Sequence, residues 1–254
     1  MAARYDYTSQ RLFTKHNLNA GLVIESDRTQ ANYLLNVLRM KPGTKLLLFN
    51  GRDGEWLGEI CDVGRKACNI RLISLTRPQP EPYDLVYLFA PLKKGRMDYM
   101  VQKAVEMGVG VLQPVITQFT QNSKLNLHKM SVNALEAAEQ CGILNLPNIK
   151  EPAKLSALLL NWDKERTIVY CDEAAKEHDP VEILLPLKRE KLALLIGPEG
   201  GFSEEERLQL RAMDCVLPIS LGPRILRADT AAVAALAVLQ CVAGDWTVGM
   251  SQKN

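Results

Sequence analysis

Three prolines fall within five residues at Arg77-Pro-Gln-Pro-Glu-Pro, positions 78 to 82. Each fixes φ and removes a backbone donor, so neither a helix nor an interior strand can run through them, and the segment reads as an extended linker. The chain is therefore something before residue 78 and something else after residue 82. The two sides have different rhythms. Between Leu46 and Ile73 short apolar runs (Leu46-Leu-Leu-Phe, Trp56-Leu-Gly-Glu-Ile, Asn69-Ile-Arg-Leu-Ile) alternate with the turn signals Asn50-Gly-Arg-Asp-Gly and Asp62-Val-Gly, which predicts a small β-rich domain over 1–77. Ahead of these runs, Tyr33 to Met40 has helical spacing, and Pro42 disfavours helix at Lys41. Beyond the linker, strand-like runs at Leu85–Ala90, Val109–Ile116, Thr167–Cys171, Leu192–Ile196 and Cys215–Ile219 are interleaved with helical patterns. Those patterns cover Arg96–Met107, Ser131–Cys141, Ser203–Met213 and Thr230–Val242. The alternation predicts an α/β domain over 83–254, a parallel sheet covered by helices, with a loose tail from Gly249 to Asn254.

Composition narrows the classes. With 47% hydrophobic and 24% charged residues the chain can fill packed cores, which excludes a disordered or fibrous protein. Its longest apolar stretch, Ala231 to Ala243, is broken by Gln240 and falls short of the roughly 20 residues that a spanning helix needs. The start, Met1-Ala-Ala-Arg-Tyr-Asp-Tyr, has no apolar core of a secretory signal, so a cytoplasmic protein is expected. Six cysteines without a C-x-x-C pair and three histidines without H-x-x-x-H spacing predict neither a disulfide framework nor a metal site. Charge is uneven. Residues 1–80 hold 12 Lys or Arg against 7 Asp or Glu, an excess of +5, whereas residues 81–254 carry −3. A basic first part is suited to meet a polyanion, although a soluble surface alone would account for the same count.

Two stretches can carry chemistry. In the first, the apolar run Leu192-Ala-Leu-Leu-Ile leads into Gly197-Pro-Glu-Gly-Gly-Phe-Ser. In open α/β sheets ligands bind beyond the carboxyl ends of strands, and glycines let backbone amides approach a ligand closely. Ser203 with Glu206 three residues on forms a capping-box signature, so a helix should begin just after the loop. The spacing fits neither G-x-G-x-x-G nor a phosphate-binding P-loop. A glycine-rich turn capped by Ser203 would explain the same residues without a ligand. In the second stretch, Pro218-Ile-Ser-Leu-Gly-Pro-Arg-Ile-Leu-Arg-Ala-Asp-Thr, a strand is followed by a loop with two arginines and then an Ala-rich helix. Asp229 or Thr230 would cap that helix, and its small residues would allow close packing. Neither role uses Arg224 and Arg227, whose guanidinium groups suit phosphate or an anionic base.

These residues resemble the bacterial ribosomal small subunit methyltransferase E family of the SPOUT superfamily. The resemblance is carried by Leu195-Ile-Gly-Pro-Glu-Gly-Gly-Phe-Ser, Leu221-Gly-Pro-Arg-Ile-Leu-Arg-Ala-Asp-Thr-Ala, Gln102-Lys-Ala-Val-Glu-Met-Gly-Val, Glu139-Gln-Cys-Gly and Val37-Leu-Arg-Met, in the family's order. It implies an S-adenosylmethionine-dependent enzyme that methylates N3 of one uridine in 16S ribosomal RNA near the decoding centre. It also implies a PUA-like β-barrel for RNA at 1–77, a SPOUT domain at 83–254 with a carboxyl-terminal trefoil knot, and a homodimer. Backbone groups of Leu195, Gly197, Gly200, Ile219, Leu221 and Leu226 would hold the cofactor. The imide proton on N3 must leave, so the chemistry needs proton removal and anion stabilisation. Arg227 would stabilise the uracilate, Arg224 would orient RNA or maintain the loop, and Glu199 or Asp229 would serve as base or base positioner. A structural role for Glu199 is equally open. Arg11, Arg39, Lys93, Lys94 and Arg96 are candidates for phosphate contacts or for solvated charge.

Many relatives have Glu where this chain has Asp229 and Arg where it has Ile143, and about ten residues precede Arg11-Leu-Phe, with which relatives often begin. The first change shortens a carboxylate's reach, and the second removes a possible RNA contact. Two other readings compete: a SPOUT methyltransferase acting on transfer RNA or a ribose 2′-hydroxyl, and a non-catalytic RNA-binding assembly factor with a degenerate pocket. A nucleotide-dependent oxidoreductase is a distant third.

Overall fold

The structure, a computed structural model, describes residues 6, 8–64, 66–121, 124–172, 175, 179–187 and 191–247. The tail expected from Gly249 onward lies outside them. The chain divides into two compact units, one of Met1–Pro82 with Leu135–Leu146 and one of Tyr83–Ala134 with Pro147–Asn254. Specific hydrogen bonds tie the distant 135–146 stretch into the first unit. Glu139 accepts from the Phe13 amide (2.8 Å), Arg77 donates to the Gly142 carbonyl (2.8 Å), and Gln79 donates to Asn145 (2.6 Å).

The first unit contains β1 (Arg11–Phe13), β2 (Val23–Glu25), helix α1 (Arg28–Asn32), β3 (Lys45–Phe49), β4 (Glu55–Val63) and β5 (Cys68–Arg77). Its sheet runs β1-β3-β4-β5-β2, with β1 parallel to β3 and every other pair antiparallel. The period of two is visible in β5, where Cys68, Ile70 and Leu72 point into the core and Arg71 and Ile73 point out. Leu34, Leu46, Leu48 and Ile60 complete that core.

The helix expected over Tyr33–Met40 is corrected. Helix begins earlier, at a capping box between Asp27 and Gln30, and Tyr33–Val37 form one wide turn with i→i+5 hydrogen bonds. Arg39 then takes φ +55, a left-handed conformation that a residue with a Cβ rarely adopts. It turns the chain so that the Met40 amide reaches the Leu34 carbonyl at 2.9 Å.

Arg11 requires a second correction. Its side chain is 3% exposed and its Nε donates to Glu55 at 2.9 Å, with Arg77 Nη2 on the same carboxylate oxygen at 2.6 Å. The guanidinium is spent holding a buried carboxylate, so it cannot meet a phosphate. Burial alone would raise the Glu55 carboxyl, but hydrogen bonds from Arg77, Arg11 and Thr76 outweigh it and hold Glu55 below the ordinary glutamate value.

The second unit holds β6 (Leu85–Phe89), α2 (Lys94–Glu106), β7 (Val111–Ile116), the start of α3 (Leu127–Cys141), β8 (Asn148–Ile149), β9 (Ala153–Lys154) and α4 (Leu155–Leu160). β10 (Arg166–Cys171), α5 (Pro180–Leu184), β11 (Lys191–Ile196), α6 (Glu204–Arg211), β12 (Val216–Ile219) and α7 (Ala228–Val242) follow. The sheet runs β12-β10-β11-β6-β7-β8, β9 also pairs with β7, and every pair is parallel. Helices cover it, which is why Leu192 to Ile196 are apolar at every position and all buried. Helix α7 packs on α2, α5 and β11 within the chain, and Ala232 and Ala235 of its small-residue face are buried there. Among the described residues no helix is long and apolar enough to cross a membrane.

Candidate functional site

Because the sheet is parallel, the chain leaves every strand at the same edge, and register fixes the level at which it does so. Tyr170 of β10 is paired with Leu195 of β11 on one side and Pro218 of β12 on the other, and Cys171 is paired with Ile219. The loops that begin at Gly197 and Ser220 therefore leave at one height, separated by the single strand β10, about 10 Å apart at the usual strand spacing. The two loops begin 23 residues apart in sequence, at 197 and 220, and lie at one level of the carboxyl edge of the sheet, where α/β ligands bind.

The Gly197 loop is built around Phe202. A Cβ at Gly197 would lie 2.4 Å from Cε2 of the Phe202 ring, so only glycine allows the ring to cover the loop. The ring stacks edge-on against Tyr170 at 5.1 Å between centroids. Ser203 accepts from the Glu206 amide at 3.2 Å while Glu206 accepts from the Ser203 amide at 2.9 Å, the expected capping box. The other Glu206 oxygen accepts from the Gln118 amide at 2.8 Å, which ties the loop after β7 to the start of α6.

A buried ion-pair cluster fixes α6 to β10. Asp172, directly after β10, has a fully buried side chain whose oxygens accept from Arg207 at 2.5 Å and Arg211 at 2.8 Å. These three residues were not singled out in the sequence. Their one legible signal was the pair of arginines four apart on a helix, which places both on one face.

On the other side of the Gly197 loop, Arg96 of α2 forms an ion pair with Glu199. The pair borders a shallow, open cleft lined by Leu92, Lys93, Phe119, Gln121, Pro198 and Gly200, among others.

Leu195 and Ile219 are 0% and 1% exposed, so their side chains belong to the core and only their backbone groups are left for a ligand to use. Leu221 and Leu226 are half-buried in the second loop, and Arg224 and Arg227 are exposed. Gly222 has φ +96, the left-handed region that favours glycine, and nothing lies within 4 Å of a Cβ built on it. The expectation that Asp229 or Thr230 caps α7 is corrected: the N-cap is Arg227, without a side-chain cap. Asp229 follows two residues after the cap, in the first turn, where the helix dipole favours a carboxylate. Lys93 is the exposed N-cap of α2, whereas the Lys94 side chain lies outside the described residues. Lys93, Arg96, Glu199 and Gly200 are thus brought around one cleft, and Gly197 and Leu221 follow strands that end at one level with β10 between them. Arg39 belongs to the first unit.

The Cys171 thiol, at the end of β10, is pushed up to about 12 by burial, so it is no nucleophile at this edge.

Comparison with known proteins agrees with this layout. The RNA methyltransferase domain family matches residues 79–240, and the RNA methyltransferase PUA domain family matches 27–73. The chain is 32% identical over 247 residues to a ribosomal RNA small subunit methyltransferase E of Buchnera aphidicola, covering 92% of this chain and 97% of that one. It is 30% identical over 220 residues to the protein so named from Rickettsia conorii, covering 86% and 89%. Among solved structures, a putative methyltransferase of Legionella pneumophila in complex with bound SAM superposes with a TM-score of 0.83 at 31% identity, covering 93% of this chain and 99% of that one. A ribosomal RNA small subunit methyltransferase E of Neisseria gonorrhoeae bound to S-adenosyl methionine also reaches 0.83, at 25% identity and 92% and 98% coverage.

Proposed function

The chain belongs to the ribosomal RNA small subunit methyltransferase E family, and from that membership we propose that it methylates 16S ribosomal RNA with S-adenosylmethionine as donor, at N3 of one uridine near the decoding centre. The observation that carries this reading is the common level at which the Gly197 and Ser220 loops leave a parallel sheet whose close structural relatives hold that cofactor. The residues fit the donor. Leu195 and Ile219 are buried and leave only backbone groups for it, the missing side chain at Gly197 lets the Phe202 ring close over the loop, and Leu221 and Leu226 offer half-buried apolar walls to an adenine ring. Backbone groups of Leu195, Gly197, Gly200, Ile219, Leu221 and Leu226 hold it. When bound, S-adenosylmethionine supplies an electrophilic methyl group.

The chain's own residues handle the uracil. Arg227, exposed at the start of α7, stabilises negative charge on the base as N3 loses its proton. Asp229 or Glu199 receives or positions that proton; Glu199, already paired with Arg96, is also suited to holding the loop. Arg224 and Arg39, with Lys93, Lys94 and Arg96, supply phosphate contacts.

The domain assignment follows: 1–77 as a PUA-like RNA-binding domain, 78–82 as linker, and 83–254 as a SPOUT domain with a trefoil knot. The active form is a cytoplasmic homodimer acting on RNA within the small subunit.

The test is methyl transfer from labelled S-adenosylmethionine to unmodified small ribosomal subunits, followed by nuclease digestion and mass spectrometry of the nucleosides. New 3-methyluridine is the expected product. A folded, cofactor-binding protein that transfers nothing to subunits would refute this reading.

A further inference from the structure

The loop after β7 is pinned at three points. Thr117 and Thr120 close a turn on each other, with the Thr117 amide donating to Thr120 Oγ1 at 2.9 Å and the Thr120 amide to the Thr117 carbonyl at 3.2 Å. The Gln118 amide is held by Glu206. Phe119 stands at the tip of this fixed turn with its side chain 44% exposed beside the cleft. A Cβ at Gly200 would come within 3.3 Å of Phe119 Cβ, so the absence of a side chain there is what makes room for it. An aromatic ring that is exposed and yet held by a rigid backbone has already met its ordering cost before any ligand arrives.

The chemistry of the cleft selects its occupant. Phe119 offers an exposed apolar face over the buried Leu92 and Pro198, while Gln121 and Glu199 place an amide and a carboxylate beside it. Glu199, balanced by Arg96, gives the cleft no net pull on a phosphate, whereas the exposed Lys93 beside it attracts phosphate outside. A flat, uncharged ring with polar edges, attached to a phosphate chain, satisfies both. Single-stranded nucleic acid is recognised by this combination of an aromatic platform and adjacent cations.

We propose that the cleft between Phe119 and Pro198 is a nucleobase subsite in which a base of the substrate RNA stacks on the Phe119 ring while its phosphate lies toward Lys93 and Arg96. The proposal rests on the RNA-methylating reading and deepens it by naming where the RNA is gripped.

Two measurements test it. In Phe119→Trp, oligouridylate quenches the added tryptophan's emission and polyphosphate of equal charge does not. This readout needs no methyl transfer, so it stands even if the wild-type chain methylates nothing. In Phe119→Ala, KM for small subunits rises about tenfold while S-adenosylmethionine affinity is unchanged, and Phe119→Tyr restores the wild-type value. Emission that polyphosphate changes as much as oligouridylate, or that neither changes, overturns the proposal. So does a parallel loss of cofactor affinity in Phe119→Ala, which would make the ring a support for Gly200. A shift in self-association on removing the ring would likewise overturn it, because the cleft would then be covered by a second copy of the chain.

Discussion

The ring of Phe202 covers Gly197 so closely that a Cβ on the glycine would stand 2.4 Å from Cε2. Gly197→Ala therefore forces the loop off Tyr170 and out of the position from which, in the function we propose, its backbone meets the cofactor. Overpacking of this kind costs about 1–3 kcal/mol. Calorimetric titration should show S-adenosylmethionine binding weakened about tenfold, and adding Phe202→Leu should recover part of the loss. Unchanged affinity in the single variant would show that the loop does not depend on this contact.

Asp172 and its two arginines make unequal contributions. Asp172→Ala leaves Arg207, only 13% exposed, without the carboxylate it faces, and breaking a buried pair from one side costs about 3–5 kcal/mol. Arg211 is 43% exposed and its charge is screened by solvent, so Arg211→Ala should cost far less. Urea unfolding of both variants checks the ratio; equal losses would contradict the burial argument.

Glu55 makes the first unit sensitive to acid. Its folded carboxyl lies below the ordinary glutamate value, so its contribution is fully present above that ordinary value and is lost as pH falls through the lower, folded one. Glu55→Gln should flatten the acid limb of a stability–pH curve and lower the plateau near neutrality. A variant with the wild-type acid slope would remove Glu55 from the account.

Arg227 is exposed and caps α7 without a side-chain hydrogen bond, so its loss should leave folding intact. Arg227→Ala should lower kcat on the order of 100-fold, with Tm and S-adenosylmethionine affinity unchanged. A fall in KM affinity alone, with kcat preserved, would make it an RNA-positioning residue instead.

The cysteines should separate by reactivity. Cys141 and Cys241 are exposed, whereas burial holds the Cys171 thiol near 12. Near pH 8 the native protein should be labelled at Cys141 and Cys241 first, with Cys171 labelled only on unfolding.

Periodicity and punctuation are local properties, and they determined much of this molecule. Proline spacing at 78–82 marked a segment without helix or strand, the apolar runs marked the strands of the parallel sheet, and Ser203 with Glu206 marked the start of α6. The same kind of signal at Asp27 and Gln30 marks the start of α1, whereas the apolar spacing from Tyr33 by itself predicts a later start. The charge on Arg11 is equally legible in the sequence, but its use is not. Whether a guanidinium meets solvent, phosphate or Glu55 depends on a strand 44 residues away. Tertiary structure alone decided that Leu195, Tyr170 and Pro218 share one level, that Asp172 meets Arg207 and Arg211, and that Phe119 stands beside Gly200. Each of these contacts joins residues far apart in sequence. It follows from strand order, which spacing within one segment does not encode, because pairing is a choice among whole strands that only the packed sheet resolves.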